Sequence, residues 1–398
     1  MGYRKFNARQ LFTGNEMLDD SQVLITKTDG SIEEIVPIND AGDDIQIVDG
    51  LLTPGFINCH SHLELSHLKG VIPEGTGMKD FVLAVMEKRH VTDEQIFFAI
   101  NNAEDELIKN GIVAVGDICN TLTTLPQKQR GRIYYHNFIE VSGFIPAGAT
   151  TRFNRSVDFF NAFASLSQLP IESNSIVPHA PYSVSTELFK LILDFPGNHI
   201  ISMHNQESKA EENLFLNREG EFIDLYNQLG LDIGHFQATH KNSLQSVYSN
   251  FRSNQRLILV HNVTTNENDI AFLQKSDTRI NRDLLHFCLC PNANEYIGNG
   301  LPNINVLANS GYDIVIGTDS LASNHQLSIL EELKTLQEHE SSLSLPKILK
   351  WATLNGAKAL EAEQLFGSFE KGKRPGVVSI SNIEQQRLTK ASKVTRLL

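Results

Sequence analysis

The chain has 398 residues, 41% of them hydrophobic, and a formal net charge of −13 at neutral pH. That length suits a barrel of roughly 250 to 400 residues with a small accessory unit, and the acidic balance argues against nucleic acid or an anionic membrane as partner. The four cysteines, Cys59, Cys119, Cys288 and Cys290, show no Cys-x-x-Cys spacing; neither a structural zinc site nor a disulfide framework is expected, and a cytoplasmic enzyme with reduced thiols is the reading.

The opening MGYRKFNARQLF lacks the uninterrupted apolar core of a signal peptide, and Phe6 stands where a myristoylation pattern needs Ser or Thr. No run approaches the roughly 18 apolar residues of a membrane span. Residues 23–27 and 45–48 read as short strands punctuated by turns such as Asn39-Asp40-Ala41-Gly42. Next comes TPGFINCHSHLELSHLK at 53–69, with His60 and His62 at its centre. In an extended strand alternate side chains share a face, so this pair projects two imidazoles the same way, as a metal clamp would need. A helical stretch at 80–90 carries Phe81 and Arg89, and a second at 93–110 opens at Thr92 as N-cap and stops at Gly111.

Further along, three apolar runs each end in a polar group. Residues 198–203 lead to His204 and then Glu207, residues 256–260 lead to His261, and residues 312–316 lead to Gly317-Thr318-Asp319. Short continuous runs rich in Val, Ile and Leu, alternating with helical patterns, are what a parallel sheet covered on both faces looks like. The fold class expected is α/β, a (β/α)8 TIM-like barrel, whose active site is built at the C-terminal strand ends. A helix is expected at 345–362, and the tail 367–380 has short-strand character like the N-terminus.

The stretches TPGFINCHSHLE at 53–64, HAPYSVS at 179–185, HNQESKAE at 204–211, LVHNV at 259–263, CPNAN at 290–294 and GTDSLASN at 317–324 resemble the amidohydrolase superfamily, in its nucleoside-deaminase and chlorohydrolase-like branch. They span the chain nearly end to end. The resemblance implies that His60 and His62 come from the first barrel strand, His204 from the fifth and Asp319 from the eighth, together binding one divalent metal, Zn2+ or alternatively Fe2+. It further implies that His261, from the sixth strand, hydrogen-bonds the attacking water or the leaving group. Glu207 would be the proton shuttle, with Asp319 assisting. The donor set agrees, since neutral imidazoles and a carboxylate suit zinc or ferrous iron. Some members hold two metals bridged by a carbamylated lysine on the fourth strand; residues 175–182, SIVPHAPY, contain no lysine, so a mononuclear site is expected. The resemblance also implies a small β-sandwich made from both termini, residues 1–53 plus 359–398, beside a barrel at 54–358. A homo-oligomer, as a dimer, is expected.

His62-Leu63-Glu64 fits half of the cytidine-deaminase motif, but the required Pro-Cys-x-x-Cys is absent from the sequence. Glu64 therefore either lines the pocket or receives a loop hydrogen bond. His179 resembles the substrate-contacting histidine of the deaminase branch, or else bridges to a loop, and Asn324 is a further substrate-contact candidate. The extension HLELS at 62–66 looks most like enzymes that deaminate aminodeoxyfutalosine, an adenine nucleoside bearing a benzoate; Arg89 could hold that carboxylate or face solvent, and Phe81 could stack on a ring or fill the local core. CPNAN departs from the CPRSN-like form of related deaminases at Asn292 and Ala293. The expected function is hydrolytic deamination of an adenine-type nucleoside as small-molecule substrate. The alternatives are guanine, methylthioadenosine, adenosylhomocysteine or a chlorinated triazine as substrate, or a non-catalytic scaffold, against which the intact ligand set argues.

Overall fold

The computed structural model describes residues 2–165, 173–276 and 280–398. Its strands are β1 (Tyr3–Phe12), β2 (Met17–Asp19), β3 (Gln22–Lys27), β4 (Ile32–Pro37), β5 (Ile45–Pro54), β6 (Phe56–Ser61), β7 (Ile112–Cys119), β8 (Tyr134–Val141), β9 (Asn174–Pro178), β10 (Ile200–Asn205), β11 (Arg256–His261), β12 (Leu285–Leu289), β13 (Asp313–Ile316), β14 (Val377–Ser381) and β15 (Lys393–Arg396). Eight of them form two parallel four-stranded sheets, β6-β7-β8-β9 and β10-β11-β12-β13. Every residue of β6, β7, β8, β10 and β12 is buried, as continuous apolar runs between helices require.

Backbone hydrogen bonds run across both seams between these sheets. His204 N donates to His179 O at 3.0 Å, and Thr318 N and Asp319 N both reach His60 O at 3.0 Å. Gly317 makes the second approach feasible: a Cβ there would meet His60 Cβ at 2.8 Å and Cys290 Sγ at 2.9 Å.

The strands from the two ends of the chain join one seven-stranded sheet, β15-β14-β5-β1-β3-β4 with β2 also on β1. The ten-residue β1 pairs with β5 along one edge and with β3 and then β2 along the other, so the strands stay in a single hydrogen-bonded sheet. Phe6, Leu11, Leu24, Leu52 and Val377 bury one cluster against it. Ala359, Leu360 and Ala362 pack with Ile57, Cys59 and Val260 on the parallel strands.

The helix expected at 93–110 is Asp93–Lys109, with a capping box between Thr92 and Gln95. The run expected at 345–362 is helical from Leu345 to Ala359 but widens into a π segment at Trp351–Asn355. There Asn355 Nδ2 donates to Ile314 O at 3.0 Å, and Gly356 lies so near β6 that a Cβ would meet Ile57 Cβ at 2.7 Å. Among the described residues no helix is long and apolar enough to cross a membrane.

Candidate metal centre and active-site cavity

Each expected strand-end residue lies where its strand stops. His60 is the penultimate residue of β6 with His62 just beyond it; His204 is near the end of β10, His261 ends β11, and Asp319 follows β13. One donor atom from each of His60, His62, His204 and Asp319 lies within 4.8 Å of the other three, and all four side chains are buried. His62 Nε2 stands 3.1 Å from His60 Nε2 and 3.2 Å from Asp319 Oδ1, while His60 Nε2 is 3.6 Å from the same carboxylate oxygen.

Hydrogen bonds fix which nitrogen His204 and His261 offer. His204 Nδ1 donates to the His179 carbonyl at 2.8 Å, which leaves Nε2 as the lone-pair nitrogen. His261 Nδ1 donates to Asn294 Oδ1 at 2.8 Å, and its Nε2 is buried without a partner, 3.5 Å from Glu207 Oε1. Asp319 Oδ2 accepts from Ser323 Oγ at 2.5 Å. Burial pushes His60 and His204 down to about 3 and His261 and His179 down to about 4, so these rings are neutral imidazoles near pH 7. At His62 burial is outweighed by the hydrogen bond and charge of Asp319, which hold it at about 9. Burial opposes the charge on Asp319 as well, yet its hydrogen bonds to His60 and His62 keep it well below the usual carboxylate range. Three imidazoles and a carboxylate that demands a positive neighbour are a donor set that fits a divalent ion.

Glu207 is buried; its Oε2 has no partner, and its backbone N donates to Glu211 Oε2 at 3.0 Å. Burial, followed by the charges of Asp319, Glu211 and Glu140, pushes its carboxyl well above the usual range. The backbone is unusual here too: Gln206, His261, Asn262 and Asp319 have φ of 47°, 75°, 60° and 56°. Left-handed non-glycine residues cost energy and gather where a structure over-determines a functional geometry.

A cavity of about 340 Å3 opens beside the cluster, walled by His62, His204, Glu207 and Asp319 on one side and by apolar residues including Phe81, Phe144 and Tyr226 on the other. Glu64 and Arg89 both line it, but they face each other: Arg89 Nη2 is 3.2 Å from Glu64 Oε1. Glu64 Oε2 accepts from Asn120 N, Thr121 N and Thr121 Oγ1 at 3.1, 2.9 and 2.7 Å, so Glu64 serves the loop as well as the wall. Phe81 belongs to the hydrophobic core and also lines the cavity. His179 lines the cavity, with its Nδ1 bonded to Ser183 Oγ at 2.6 Å.

Asn324 is buried and is not among the residues lining this cavity. Its amide donates to Thr318 O and Glu332 Oε1, both at 2.9 Å. It therefore braces the loop that carries Asp319.

Three cavity or ring-facing residues were not anticipated. Glu140 ends up in the wall near the end of β8, Asn294 orients His261, and Arg152 reaches the cavity from the helix Ala149–Ala164. Glu140 could have been found as one more carboxylate closing an apolar strand, and Asn294 lies within CPNAN. Arg152 carries no local signal. A second cavity, of about 430 Å3, lies among Arg132, Arg374 and Arg396, where Arg132 and Arg374 are already paired with Glu104 and Asp29; it contains none of the strand-end residues.

These features, parallel strands carrying a histidine and aspartate cluster at their C-terminal ends, are those of a metal-dependent hydrolase, and residues 51–395 match the model of the amidohydrolase family. The chain belongs to that family. Among its relatives, an adenosine deaminase of Helicobacter pylori is 26% identical over 81% of this chain and 77% of its own length. A 5-methylthioadenosine/S-adenosylhomocysteine deaminase of Bacillus cytotoxicus is 23% identical over 86% and 76%. The crystal structure of Helicobacter pylori aminofutalosine deaminase with methylthio-coformycin superposes with a TM-score of 0.82 at 22% identity, covering 99% of this chain and 100% of that one. A zinc-bound adenosine deaminase from Xanthomonas campestris superposes with a TM-score of 0.68 at 21% identity, over 97% and 87%.

Proposed function

We propose that this protein is a metal-dependent hydrolase that deaminates an adenine-type nucleoside, with one divalent ion, zinc or ferrous iron, held by His60, His62, His204 and Asp319. The observation that carries this reading is the facing pair Glu207 and His261, both buried, each with an atom lacking a partner, beside a four-donor cluster at the base of the cavity. The relatives named for adenosine, methylthioadenosine and aminofutalosine support the adenine-type substrate. The two parallel sheets, hydrogen-bonded across both seams, are read as one eight-stranded barrel with the terminal sheet as its accessory unit. The four buried free thiols fit a cytoplasmic setting.

A divalent ion held by His60, His62, His204 and Asp319 would make hydroxide available by lowering the pKa of a water to about 7. The chain's own residues then handle protons. Glu207, its basicity raised by burial, takes a proton from the attacking water and returns it to the substrate as ammonia departs. His261, its Nδ1–H donating a hydrogen bond to Asn294 Oδ1, presents Nε2 as an acceptor that orients the water, and Asp319 assists as a second base.

Within this class, aminodeoxyfutalosine is the substrate proposed. The apolar wall of Phe144, Tyr226 and Leu225 suits a ring beyond the ribose. Arg89 is already neutralised by Glu64, whereas Arg152 has no carboxylate partner among the described residues and donates only to Ser142 O at 3.0 Å. Arg152 is thus the better anchor for the benzoate. The wild type should release ammonia from aminodeoxyfutalosine in preference to 5′-deoxyadenosine. Arg152→Met should lower kcat/KM for the former by roughly 10- to 150-fold, a charge-assisted hydrogen bond of about 1.5–3 kcal/mol, and spare the latter. Absence of any wild-type preference would sink the specific substrate, and absence of ammonia release from every adenine nucleoside would sink the class.

A further inference from the structure

The stretch HNQESKAE at 204–211 contains a helix start that the proton transfers above leave unused. Ser208 caps the helix Lys209–Asn217, its Oγ accepting from Glu211 N at 3.4 Å, and Glu211 is the third helical residue. A glutamate in that place ordinarily turns its carboxylate back to the N–H of the capping residue itself. Glu211 reaches further: Oε1 accepts from Gln206 N at 3.2 Å and Oε2 from Glu207 N at 3.0 Å. Two successive N–H groups converging on one anion make a concavity for it. Glu211 is fully buried, and among the described residues it makes no ion pair. Burial pushes its carboxyl up to about 7, against hydrogen bonds from Ser243, Glu207 and Gln206 that favour the charged form.

We propose that Glu211 is a positioning residue whose carboxylate, seated on the N–H groups of Gln206 and Glu207, locks the left-handed turn that aims Glu207 at His261. The proposal rests on the reading of Glu207 as the proton carrier. Gln206 sits at φ 47°, a region non-glycine residues seldom adopt, so the turn needs holding. Its other polar groups are held as well: O accepts from Thr264 N at 3.0 Å, Nε2 donates to Asp269 Oδ2 at 3.1 Å, and Oε1 accepts from Thr265 Oγ1 at 2.7 Å. Glu207 differs in its side chain. Its main-chain N is fixed by Glu211, while Oε2 keeps no partner and Oε1 stands 3.5 Å from His261 Nε2. A fixed backbone with an uncommitted carboxyl is what a group that takes up and returns a proton requires. Glutamine in place of Glu211 would keep one acceptor oxygen and set an amide nitrogen against the second N–H.

The test compares the metal-loaded wild type with Glu211→Gln, Glu207→Gln, the double variant and Ser208→Ala, using aminodeoxyfutalosine as substrate. Glu211→Gln should keep its metal and lower kcat by roughly 10- to 100-fold, the cost of a small misplacement, with KM changed by less than about twofold. In the Glu207→Gln background the same change should cost nothing further, because it acts through Glu207. Ser208→Ala, which weakens the helix cap and leaves the Glu211 carboxylate in place, should keep kcat within about twofold of the wild type. Amide exchange needs no substrate: Gln206 and Glu207 should be protected in the wild type and exchange roughly 10-fold faster in Glu211→Gln. The proposal is overturned if that exchange or kcat is unchanged in Glu211→Gln, if the two glutamate effects multiply, or if Ser208→Ala slows turnover equally. Full turnover in Glu207→Gln would instead refute Glu207 as the proton carrier, so the two failures are distinguishable.

Discussion

Two buried polar clusters sit side by side in this protein and differ in one respect, whether their hydrogen-bonding capacity is used up. In the first, Lys128 Nζ lies 2.5 Å from Asp117 Oδ2, 2.7 Å from Asn137 Oδ1 and 3.2 Å from Cys119 Sγ, while Asp117 Oδ1 accepts from Leu63 N at 2.8 Å. Nothing in that set is left over, and none of its residues has a left-handed backbone. In the second, around His60, His62, His204, His261 and Asp319, the atoms Glu207 Oε2 and His261 Nε2 have no partner, and His261 and Asp319 are held at positive φ. A closed cluster holds parts together; it also anchors the turn that follows His62. An open one keeps its unmet capacity for a ligand.

Breaking the open cluster at its donor set should have the largest effect. His60→Ala should take the metal content from about one ion per chain to near zero and activity to the detection limit; an elemental analysis showing retained metal would mean that the four donors do not act as one site.

Glu207→Gln probes the unmet capacity without touching the donor set. Metal should stay bound while kcat falls by roughly 10² to 10⁴, the usual worth of general acid-base catalysis. Joint loss of metal and rate would make Glu207 a ligand, and an unchanged rate would remove it from the chemistry.

The closed cluster should fail in the opposite way. Lys128→Met strands Asp117 as an unpaired buried charge and should cost about 3–5 kcal/mol in a denaturant titration, with turnover per folded molecule preserved. Adding Asp117→Asn, which keeps an acceptor for Leu63 N and removes the stranded charge, should recover part of that loss. A fall in turnover with unchanged stability would erase the distinction between the clusters.

The contrast also explains what was legible beforehand. His60 and His62 announced themselves because their spacing alone puts both rings on one face of β6, and His204, His261 and Asp319 because each closes an apolar run. Nothing local to Arg89 reveals that Glu64, 25 residues earlier, takes its charge. CPNAN departs from its relatives' form at Asn292 and Ala293, yet it is the last residue of the stretch, Asn294, that meets His261, while Asn292 turns to Thr335. Nothing local to Asn324 reveals that its amide meets the buried carboxylate of Glu332.

What the sequence determined by itself is therefore the strand ends and the residues that crown them, together with the helix that Thr92 and Gln95 cap. Those follow from pleat, helical period and capping, which are settled within a few residues of chain. The tertiary structure alone decided which nitrogen His204 and His261 offer, which of the two cavity arginines Arg89 and Arg152 meets a carboxylate, and that the terminal strands make one sheet. Such outcomes depend on atoms brought together from distant segments, as when Asn58 Nδ2 meets Thr318 Oγ1 across 260 residues at 2.8 Å, and on the burial that leaves each group a single available partner.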